Sequence, residues 1–344
     1  MTAVLTETLH VVLPADVDDP ARPSGGNRYD RRILGALGAG EVAEILAAGS
    51  WPHPAASDLE ALAAALAAVP TGGTVLLDGL VACAAPSVVV PEAARLRLVV
   101  LVHLPLGDEA GASSALVARE RAVLHAAAAV VATSAWSADR IAAVHGLSGV
   151  RVVQPGTDPA PVAPGSGGRA LLCVGSLTPT KGQDVLVAAL ARLRGDWTCL
   201  LVGPLDRAPA FAGSLRSAAG VTLTGPLSGP ALDAAYAAAD VLVLPSRAES
   251  YGMVLVEALA RGIPVVAADV GGVREAVGVA RSGELPGLLV PPADPAALAA
   301  ALQQALDPAV HARLRRAALD RRDTLPTWSA AAGELREVLE GVRR

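Results

Sequence analysis

The sequence predicts an α/β protein with two doubly wound parallel sheets, and three observations lead to that class. Short β-branched or Leu-rich runs alternate with longer Ala-rich runs of helical period along the chain. Such alternation is typical of parallel strands whose connecting helices cover both faces of a sheet. The twelve strand-like runs favour two sheets over one. A Pro/Gly-rich loop at 154–168 then predicts the domain boundary.

The first domain, expected at 1–155, contains alternating candidate strands and helices. The strands are expected at 9–13, 41–46, 74–78, 96–103, 129–133 and 150–154, where apolar runs are bounded by polar or turn residues. The helices are expected at 29–37, 58–68, 115–127 and 135–145.

The second domain, expected at 156–325, repeats this pattern. Its strands are expected at 170–174, 198–202, 221–224, 241–244, 264–268 and 287–290. Its helices are expected at 183–193, 207–218, 230–239, 253–261 and 295–306. The helical tail 309–344 is interrupted at Leu325-Pro326. We expect a last helix, within 326–344 and anchored by Trp328, to cross back to the first domain.

Composition excludes several function classes. The net charge is −5, and the first 155 residues have 10 basic against 15 acidic residues, which also gives −5. With four Trp, three Tyr and one Phe, the chain lacks both the basic surface and the aromatic platforms of nucleic-acid binders. The apolar run 96–106 is shorter than a membrane span. The beginning of the sequence resembles no signal peptide, and the three cysteines have no metal-type spacing, so we predict a cytoplasmic protein.

The only lysine among the 28 basic residues is Lys181. It lies in the segment LLCVGSLTPTKGQD (171–184), where a strand ends at Gly175 and a helix begins after Gly182. Backbone N–H groups at a helix start beside a fixed cation are typical of an anion site. The segment is not a Walker A loop, because that pattern needs Gly-Lys-Ser/Thr and here Thr180 precedes the lysine. A turn with a solvated lysine is the alternative.

A second polar loop lies in PSRAESYGMVLVEALARGIP (245–264). Glu249 precedes the helix expected from Met253, and Glu257 falls on its second turn. At about 1.5 Å per residue, Gly252 to Glu257 spans about 8 Å. A diphosphate at the helix start, with one polar ring near each glutamate, fits this spacing, and a nucleotide sugar has that layout. The alternatives are a loop carboxylate for Glu249 and a solvated helix position for Glu257.

These segments resemble the family-4 retaining glycosyltransferases, which have the GT-B fold of two Rossmann-like domains facing across a cleft. The matching segments of the second domain, in the family's order, are VGSLTPTKGQDVLVAAL, TGPL, AAYAAADVLVLPS, the E-x7-E spacing of Glu249 and Glu257, PVVAADVGGVREAV and GLLVPPADPAALA. The matching segments of the first domain and linker are PSGGNRYDRRIL, LVHLPLG and PGTD.

The resemblance implies a retaining, metal-independent transfer of a sugar from a nucleoside-diphosphate-sugar donor, with no cofactor. It implies that Lys181 binds the donor pyrophosphate, that Glu257 accepts from the ribose hydroxyls, and that Glu249 holds hydroxyls of the transferred sugar. His103 is implied to lie beside the sugar, so Glu249, His103 and Lys181 are the expected catalytic residues. The other implied donor-binding residues are Gly25, Gly26, Ser176, Gly225, Leu227, Tyr251, Gly252, Met253 and Val254.

One position departs from the family's pattern. Ser176 stands where the family usually has an arginine shortly before the phosphate lysine. Either Arg28, Arg151 or Arg247 replaces that charge, or donor affinity is weaker. A non-catalytic nucleotide-sugar-binding protein and an epimerase of the same fold are therefore alternatives. A nicotinamide-dependent oxidoreductase is disfavoured, because no G-x-G-x-x-G joins a first strand to its helix.

The acceptor is constrained only by charge. Many relatives bind membranes through a basic surface of the first domain, but the −5 charge of residues 1–155 does not favour electrostatic docking on anionic lipid. We therefore expect a soluble small molecule or natural product more than a glycolipid. The sequence selects neither the base nor the sugar of the donor and predicts no oligomeric state.

Overall fold

The computed structural model describes residues 8–38, 42–108, 113–216 and 218–343. Up to residue 156 the chain forms β1 (Leu9–Pro14), α1 (Gly25–Leu37), β2 (Val42–Ala47), α2 (Ala56–Ala67), β3 (Thr74–Asp78), α3 (Gly79–Ala84), α4 (Pro86–Glu92), β4 (Arg97–Val102), α5 (Ser114–Ala126), β5 (Ala129–Ala132), α6 (Ala135–His145) and β6 (Arg151–Val152).

The rest of the described chain continues the alternation. It forms β7 (Ala170–Val174), α7 (Gln183–Leu190), β8 (Thr198–Val202), α8 (Pro209–Leu215), β9 (Val221–Gly225), α9 (Gly229–Ala238), β10 (Val241–Leu244), α10 (Met253–Leu259), β11 (Val265–Ala268), α11 (Val273–Val277), β12 (Gly287–Val290), α12 (Pro295–Ala305), α13 (Pro308–Arg322) and α14 (Trp328–Arg343). Two short 3₁₀ helices cover Leu106–Asp108 and Pro179–Lys181.

The chain divides into two compact units. The first consists of the described residues of Met1–Asp18, Gly26–Gly156 and Thr327–Arg344. The second consists of the described residues of Asp19–Gly25 and Thr157–Pro326. Each unit has its own sheet and its own buried core of Leu, Val and Ala side chains.

The sheet of the first unit has the strand order β2-β1-β3-β4-β5-β6, and every pairing is parallel. Its central strand β3 is buried at all five positions, which is typical of a parallel strand covered on both faces. The chain leaves β1 toward β2 on one side and returns to β3 on the other, so the order reverses between β1 and β3.

The sheet of the second unit is also wholly parallel, with the order β12-β11-β10-β7-β8-β9. Its order reverses between β7 and β10. Such a reversal leaves a crevice beyond the carboxyl ends of the two strands, where open α/β sheets bind their ligands. The predicted fold class is therefore confirmed: an α/β chain with two doubly wound parallel sheets.

Several predicted element boundaries were wrong. Helices α3, α4 and α11 were not predicted, because the segment from Gly79 to Glu92 is apolar all round and α11 has only five residues. The helix expected at 207–218 covers only Pro209–Leu215, with the proline in its first turn, where a missing N–H costs nothing. The strand expected at 96–103 ends at Val102, so His103 lies just beyond it. The strand expected at 41–46 begins at Glu41, which lies outside the described residues.

The last helix packs within the first unit. The Trp328 ring contacts Tyr29 edge-on at 5.6 Å between ring centroids, and the hydroxyl of Tyr29 donates to the carbonyl of Val153 at 3.0 Å. Arg336 donates to the carbonyl of Leu37 at 2.9 Å, which satisfies a group at the end of α1. None of the described helices is long and apolar enough to cross a membrane.

Candidate functional site

The candidate site of the second unit lies at the reversal point of its sheet. The loop after β7 runs from Gly175 to Gly182, and the loop after β10 runs from Pro245 to Gly252. β7 and β10 are neighbouring parallel strands, so both loops leave the same edge of the sheet. The fold thus brings together the two segments that the sequence singles out for chemistry.

The two loops are joined by an ion pair. Lys181 closes the 3₁₀ helix Pro179–Lys181, and its Nζ donates to Oε2 of Glu249 at 2.7 Å. The hydroxyl of Ser246 donates to the same carboxylate oxygen at 3.2 Å. The side chain of Lys181 is 32% exposed and that of Glu249 is 11% exposed, so the ammonium is the more accessible partner.

Close backbone approaches hold these loops in place. Gly182 has φ +70°, and a Cβ there would collide with the carbonyl oxygen of Pro245. Gly271 has φ +54°, and a Cβ there would collide with the carbonyl oxygen of Glu249. The neighbouring Gly272 donates its N–H to that same oxygen at 3.1 Å. Glycine is therefore required for the Lys181 loop and for the backbone that presents Glu249.

The second glutamate is held inside the unit. Glu257 lies on the second turn of α10 and is 8% exposed, so the alternative of a solvated helix position was wrong. Its Oε2 accepts a hydrogen bond of 2.7 Å from the hydroxyl of Tyr236 on α9. Tyr236 was not predicted from the sequence as a site residue. The apolar α9 carries one tyrosine, the one residue of that helix that is buried, and this was the available signal.

The other residues expected in the donor site occupy this edge of the sheet or the adjoining loops. The carbonyl of Ser176 accepts from Nε2 of Gln183 at 3.1 Å, which ties the loop to α7. Gly225 ends β9, and a Cβ there would meet nothing within 4 Å. Leu227 is half-buried two residues further on. These three positions thus follow β7 and β9.

The remaining residues expected in the donor site lie at the start of α10. Gly252 precedes the helix with φ +95°, and half-buried Met253 and Val254 form its first turn. Tyr251 is 2% exposed. Burial is the main cause that raises the pKa of Tyr251 to about 12; Arg321 lowers this pKa and Glu275 raises it.

Arg247, one of the arginines considered as a replacement for the missing charge at Ser176, has an anionic partner. Arg247 forms hydrogen bonds of 2.8 and 2.6 Å with the two carboxylate oxygens of Asp184. It also donates to the carbonyl of Pro179 at 2.6 Å. The hydrogen bonds from Arg247 to the carboxylate are the main cause that holds the pKa of Asp184 below its ordinary value; burial raises this pKa, and the charge of Arg247 lowers it. The charge of Arg247 is thus partly balanced by Asp184.

The first unit contains a second polar cluster, formed by Asp30, Asp78 and His103. Nε2 of His103 lies 2.8 Å from Oδ1 of Asp30 and 3.7 Å from Oδ2 of Asp78. Asp78 ends β3, at the reversal point of this sheet, and its Oδ1 accepts from the N–H of Leu80 at 2.6 Å. Gly26 lies beside the ring, since a Cβ there would be 3.1 Å from Cδ2 of His103. Gly25 and Gly26 begin α1.

The charges of this cluster shift its pKa values strongly. Burial by itself lowers the pKa of His103, but the charge and hydrogen bond of Asp30, with the charge of Asp78, raise it to about 9. Burial, followed by the charge of Asp30, raises the pKa of Asp78 to about 7. Both carboxyl groups are nearly inaccessible, at 2% and 5% exposure, so the imidazole is the part of the cluster that solvent reaches.

His103 was predicted from the sequence, whereas the two aspartates were not. The signal for Asp78 is a carboxylate that ends the otherwise apolar run TVLLD. Asp30 adjoins Tyr29 on the buried face of α1. The cluster offers three ligand atoms within 4.8 Å of one another, a spacing that suits a metal ion. The expectation that no metal takes part stays a prediction.

Solved structures of known proteins share this fold. Sucrose-phosphate synthase from Thermosynechococcus elongatus matches 98% of the chain and 99% of its own chain, with a TM-score of 0.79 and 23% identity. Anabaena Alr3699/HepE, determined in complex with UDP and glucose, matches 97% of the chain and 100% of its own, with a TM-score of 0.79 and 18% identity. The fold is therefore that of the GT-B glycosyltransferases.

Sequence comparisons also find glycosyltransferases. Residues 168–308 match the model of the family described as glycosyl transferases group 1. This confirms the resemblance to glycosyltransferases of the GT-B fold. The chain is similar to D-inositol 3-phosphate glycosyltransferase of Acidothermus cellulolyticus, 36% identical over 56% of this chain and 49% of that protein. It is also similar to D-inositol 3-phosphate glycosyltransferase 1 of Catenulispora acidiphila, 36% identical over 69% of this chain and 64% of that protein. The chain thus spans about half to just under two thirds of these relatives.

Proposed function

We propose that this protein is a glycosyltransferase that moves a sugar from a nucleoside-diphosphate-sugar donor to an acceptor, with retention at the anomeric carbon. The observation that carries the proposal is the Lys181–Glu249 pair at the reversal point of the second sheet. Both residues lie within the region that matches the glycosyltransferase family. The solved HepE complexes with UDP and with UDP-glucose support a donor of this class.

The proposed chemistry is electrostatic. The Lys181 ammonium binds the donor diphosphate and stabilises the charge that develops on the leaving group. Glu249, beside it, accepts from hydroxyls of the transferred sugar, and Glu257 accepts from the ribose hydroxyls. Gly252, Met253 and Val254 present backbone N–H groups at the start of α10. Because Lys181 supplies the cation, the proposed reaction proceeds without a divalent metal; a rate that falls on chelation and returns with a metal would contradict this part.

For the acceptor we propose a soluble small molecule. The similarity to D-inositol 3-phosphate glycosyltransferases supports a phosphorylated polyol as the first acceptor to assay. The roles expected of His103 and Gly26 in the first unit, and a cytoplasmic location, stay predictions.

The test is thermal stabilisation by UDP, GDP, TDP and ADP on the wild type and on Lys181→Ala. A ligand that binds only the folded state at 100 times its Kd stabilises it by about 2.7 kcal/mol, a readily measured shift in Tm. We expect one diphosphate to raise the Tm of the wild type and to have little effect on Lys181→Ala. The matched control is Arg274→Ala, which removes another cation of the second unit, one with a 67% exposed side chain paired with Asp269.

Thermal stabilisation, followed by product assays with the diphosphate sugar that binds, separates the candidate functions. If no diphosphate stabilises the wild type, the proposed donor site is wrong. A diphosphate that binds tightly without product from any acceptor would favour a non-catalytic nucleotide-sugar-binding protein, the alternative suggested by Ser176. Interconversion of free nucleotide sugars without transfer would favour the epimerase.

A further inference from the structure

Helices α9 and α10 of the second unit are joined by a buried polar contact. The hydroxyl of Tyr236, on α9, donates to Oε2 of Glu257, on α10, at 2.7 Å. Tyr236 is 1% exposed and Glu257 is 8% exposed. The contact is therefore shielded from solvent, and water does not readily replace the tyrosine hydroxyl.

Arg261 also contacts the ring of Tyr236. Its guanidinium carbon lies 4.5 Å from the centre of the Tyr236 ring, a cation–π distance. One guanidinium nitrogen donates to the backbone carbonyl of Glu257 at 3.0 Å, and another donates to Asp233 at 2.5 Å. Asp233 and Tyr236 belong to α9, whereas Glu257 belongs to α10 and Arg261 follows it. Arg261 therefore connects Tyr236 and Asp233 of α9 to Glu257 of α10.

A buried carboxylate needs donors, and the direction of those donors sets its orientation. The hydroxyl of Tyr236 donates to the Glu257 carboxyl group at 2.7 Å, an ordinary hydrogen-bond length for a hydroxyl donor. A carboxylate has about four acceptor directions, and the tyrosine uses one of them. The hydrogen bond from the packed Tyr236 therefore restricts the orientation of the Glu257 carboxylate.

We infer that Tyr236 is a positioning residue for Glu257: its hydroxyl holds the carboxylate in the orientation that accepts from the two vicinal hydroxyls of the nucleoside ribose. The inference rests on the proposed function, because it assigns Glu257 to the ribose. Recognition of a diol by one carboxylate depends on geometry, so a rotated carboxylate loses affinity while its charge is kept.

A purely structural role for Tyr236 makes different predictions. Tyr236 is the one residue of α9 that is buried, so its ring contributes to packing whatever the hydroxyl does. Tyr236→Phe keeps the ring and removes only the hydroxyl. Tyr29→Phe is the matched control, since Tyr29 is equally buried and donates to the backbone of Val153 in the first unit. Both variants lose one buried tyrosine hydrogen bond, and only the first loses the contact with Glu257.

The experiment measures Kd by calorimetry for two probes, UDP and 2′-deoxy-UDP. The proteins are the wild type, Tyr236→Phe, Glu257→Ala, the double variant and Tyr29→Phe. The wild type is expected to prefer UDP, because a site built to bind a hydroxyl discriminates against the analogue that lacks it. Tyr236→Phe is expected to weaken UDP binding about threefold to tenfold, the range of one hydrogen bond, and to reduce the preference for UDP. In the Glu257→Ala background the same substitution is expected to have no further effect.

Failure of the inference is distinguishable from failure of the proposed function. If Glu257→Ala weakens UDP binding while Tyr236→Phe binds both probes as the wild type does, only the inference is wrong. An equal loss for both probes, or a loss that persists in the double variant or occurs in Tyr29→Phe, also overturns it by showing a general packing effect. If the wild type binds UDP but Glu257→Ala has no effect, the ribose assignment and the inference both fall. If UDP does not bind the wild type, the inference falls with the proposed function.

Discussion

The ammonium of Lys181 lies 2.7 Å from Oε2 of Glu249, and this bond joins two loops whose residues are 68 positions apart in the sequence. The proposed function gives the two residues different parts of the donor: the diphosphate for Lys181 and the sugar for Glu249. A diphosphate that reaches Lys181 therefore competes with Glu249 for the same ammonium. Donor binding and the position of the Glu249 carboxylate are coupled as a result.

Removal of the lysine ammonium should slow the reaction. We expect Lys181→Ala to lower turnover at least tenfold, which corresponds to about 1.4 kcal/mol of lost transition-state stabilisation. The measurement is the initial rate of nucleoside-diphosphate release from the donor. Arg274→Ala, on an exposed cation, should keep the wild-type rate. Unchanged kinetics in Lys181→Ala would remove this residue from the reaction.

Glu249→Ala should mainly affect the transfer step. The carboxylate is proposed to hold the sugar near its reacting carbon, so its loss misplaces the reacting atoms more than it weakens the bound nucleotide. We expect kcat to fall about tenfold or more, with the Kd for the nucleoside diphosphate changed much less. Steady-state kinetics and calorimetry together provide the comparison, and a change confined to Kd would contradict the role.

Glu257→Ala should show the opposite pattern. This carboxylate is proposed to bind the ribose, which takes no part in bond breaking, so its loss removes ground-state and transition-state binding equally. We expect KM for the donor to rise about tenfold with kcat nearly unchanged. A fall in kcat at constant KM would exchange the roles proposed for the two glutamates.

Gly271→Ala should destabilise the second unit and disturb the site. A Cβ at Gly271 would collide with the carbonyl oxygen of Glu249, and φ is +54° there, so both sterics and backbone oppose a side chain. We expect a loss of about 2 kcal/mol or more in the free energy of unfolding, measured with urea. Gly213→Ala in α8 is the matched control, because a Cβ there meets nothing within 4 Å. That variant should be neutral or up to about 1 kcal/mol more stable; equal losses would contradict the collision.

His103 and Asp78, in the polar cluster of the first unit, should both have raised pKa values. In the folded chain the pKa of His103 is about 9 instead of 6.5, because the Asp30 and Asp78 carboxylates outweigh burial. The charged imidazole therefore stabilises the folded state fully below about pH 6.5, and this contribution is lost as the pH rises through 9. The pKa of Asp78 is raised from 3.8 to about 7, so it changes stability in the same direction. The folded state loses stability as the pH rises from about 4 through 7 and this carboxyl group ionises.

An NMR titration of the imidazole signals measures this effect, with His103→Gln assigning the resonance. In the wild type His103 should titrate near pH 9. In Asp30→Asn, which removes the negative charge 2.8 Å from Nε2 of His103, the pKa of His103 should fall toward the ordinary value. A wild-type midpoint near 6.5 would show that the two carboxylates do not hold the proton on His103.

The sequence predicted elements better than contacts. Lys181 was found because it is the only lysine, and the two glutamates because of their spacing around a helix start. The bond between Lys181 and Glu249 was not predicted. It depends on the order of β7 and β10 in the sheet, and the same local patterns are compatible with several strand orders.

Tyr236 and Asp30, which were not predicted from the sequence, both contact residues that are distant in the sequence. Tyr236 contacts a residue 21 positions away, and Asp30 contacts a residue 73 positions away. Local patterns showed an isolated tyrosine and an isolated aspartate, each compatible with an ordinary place in a helix. Their partners are defined only once α9 packs against α10 and α1 packs beside the end of β4, so propensity and periodicity do not reveal them.

Because the sequence contains a single lysine, an amine-directed reagent can label one side chain selectively. Acylating reagents that attack ε-amines address one side chain in the whole sequence, and that side chain is 32% exposed at the proposed donor site. The rate of covalent labelling thus reports on one ammonium, without background from other lysines. A bound diphosphate that covers the amine would slow its modification, so occupancy of the site can be measured by mass spectrometry as protection of one residue.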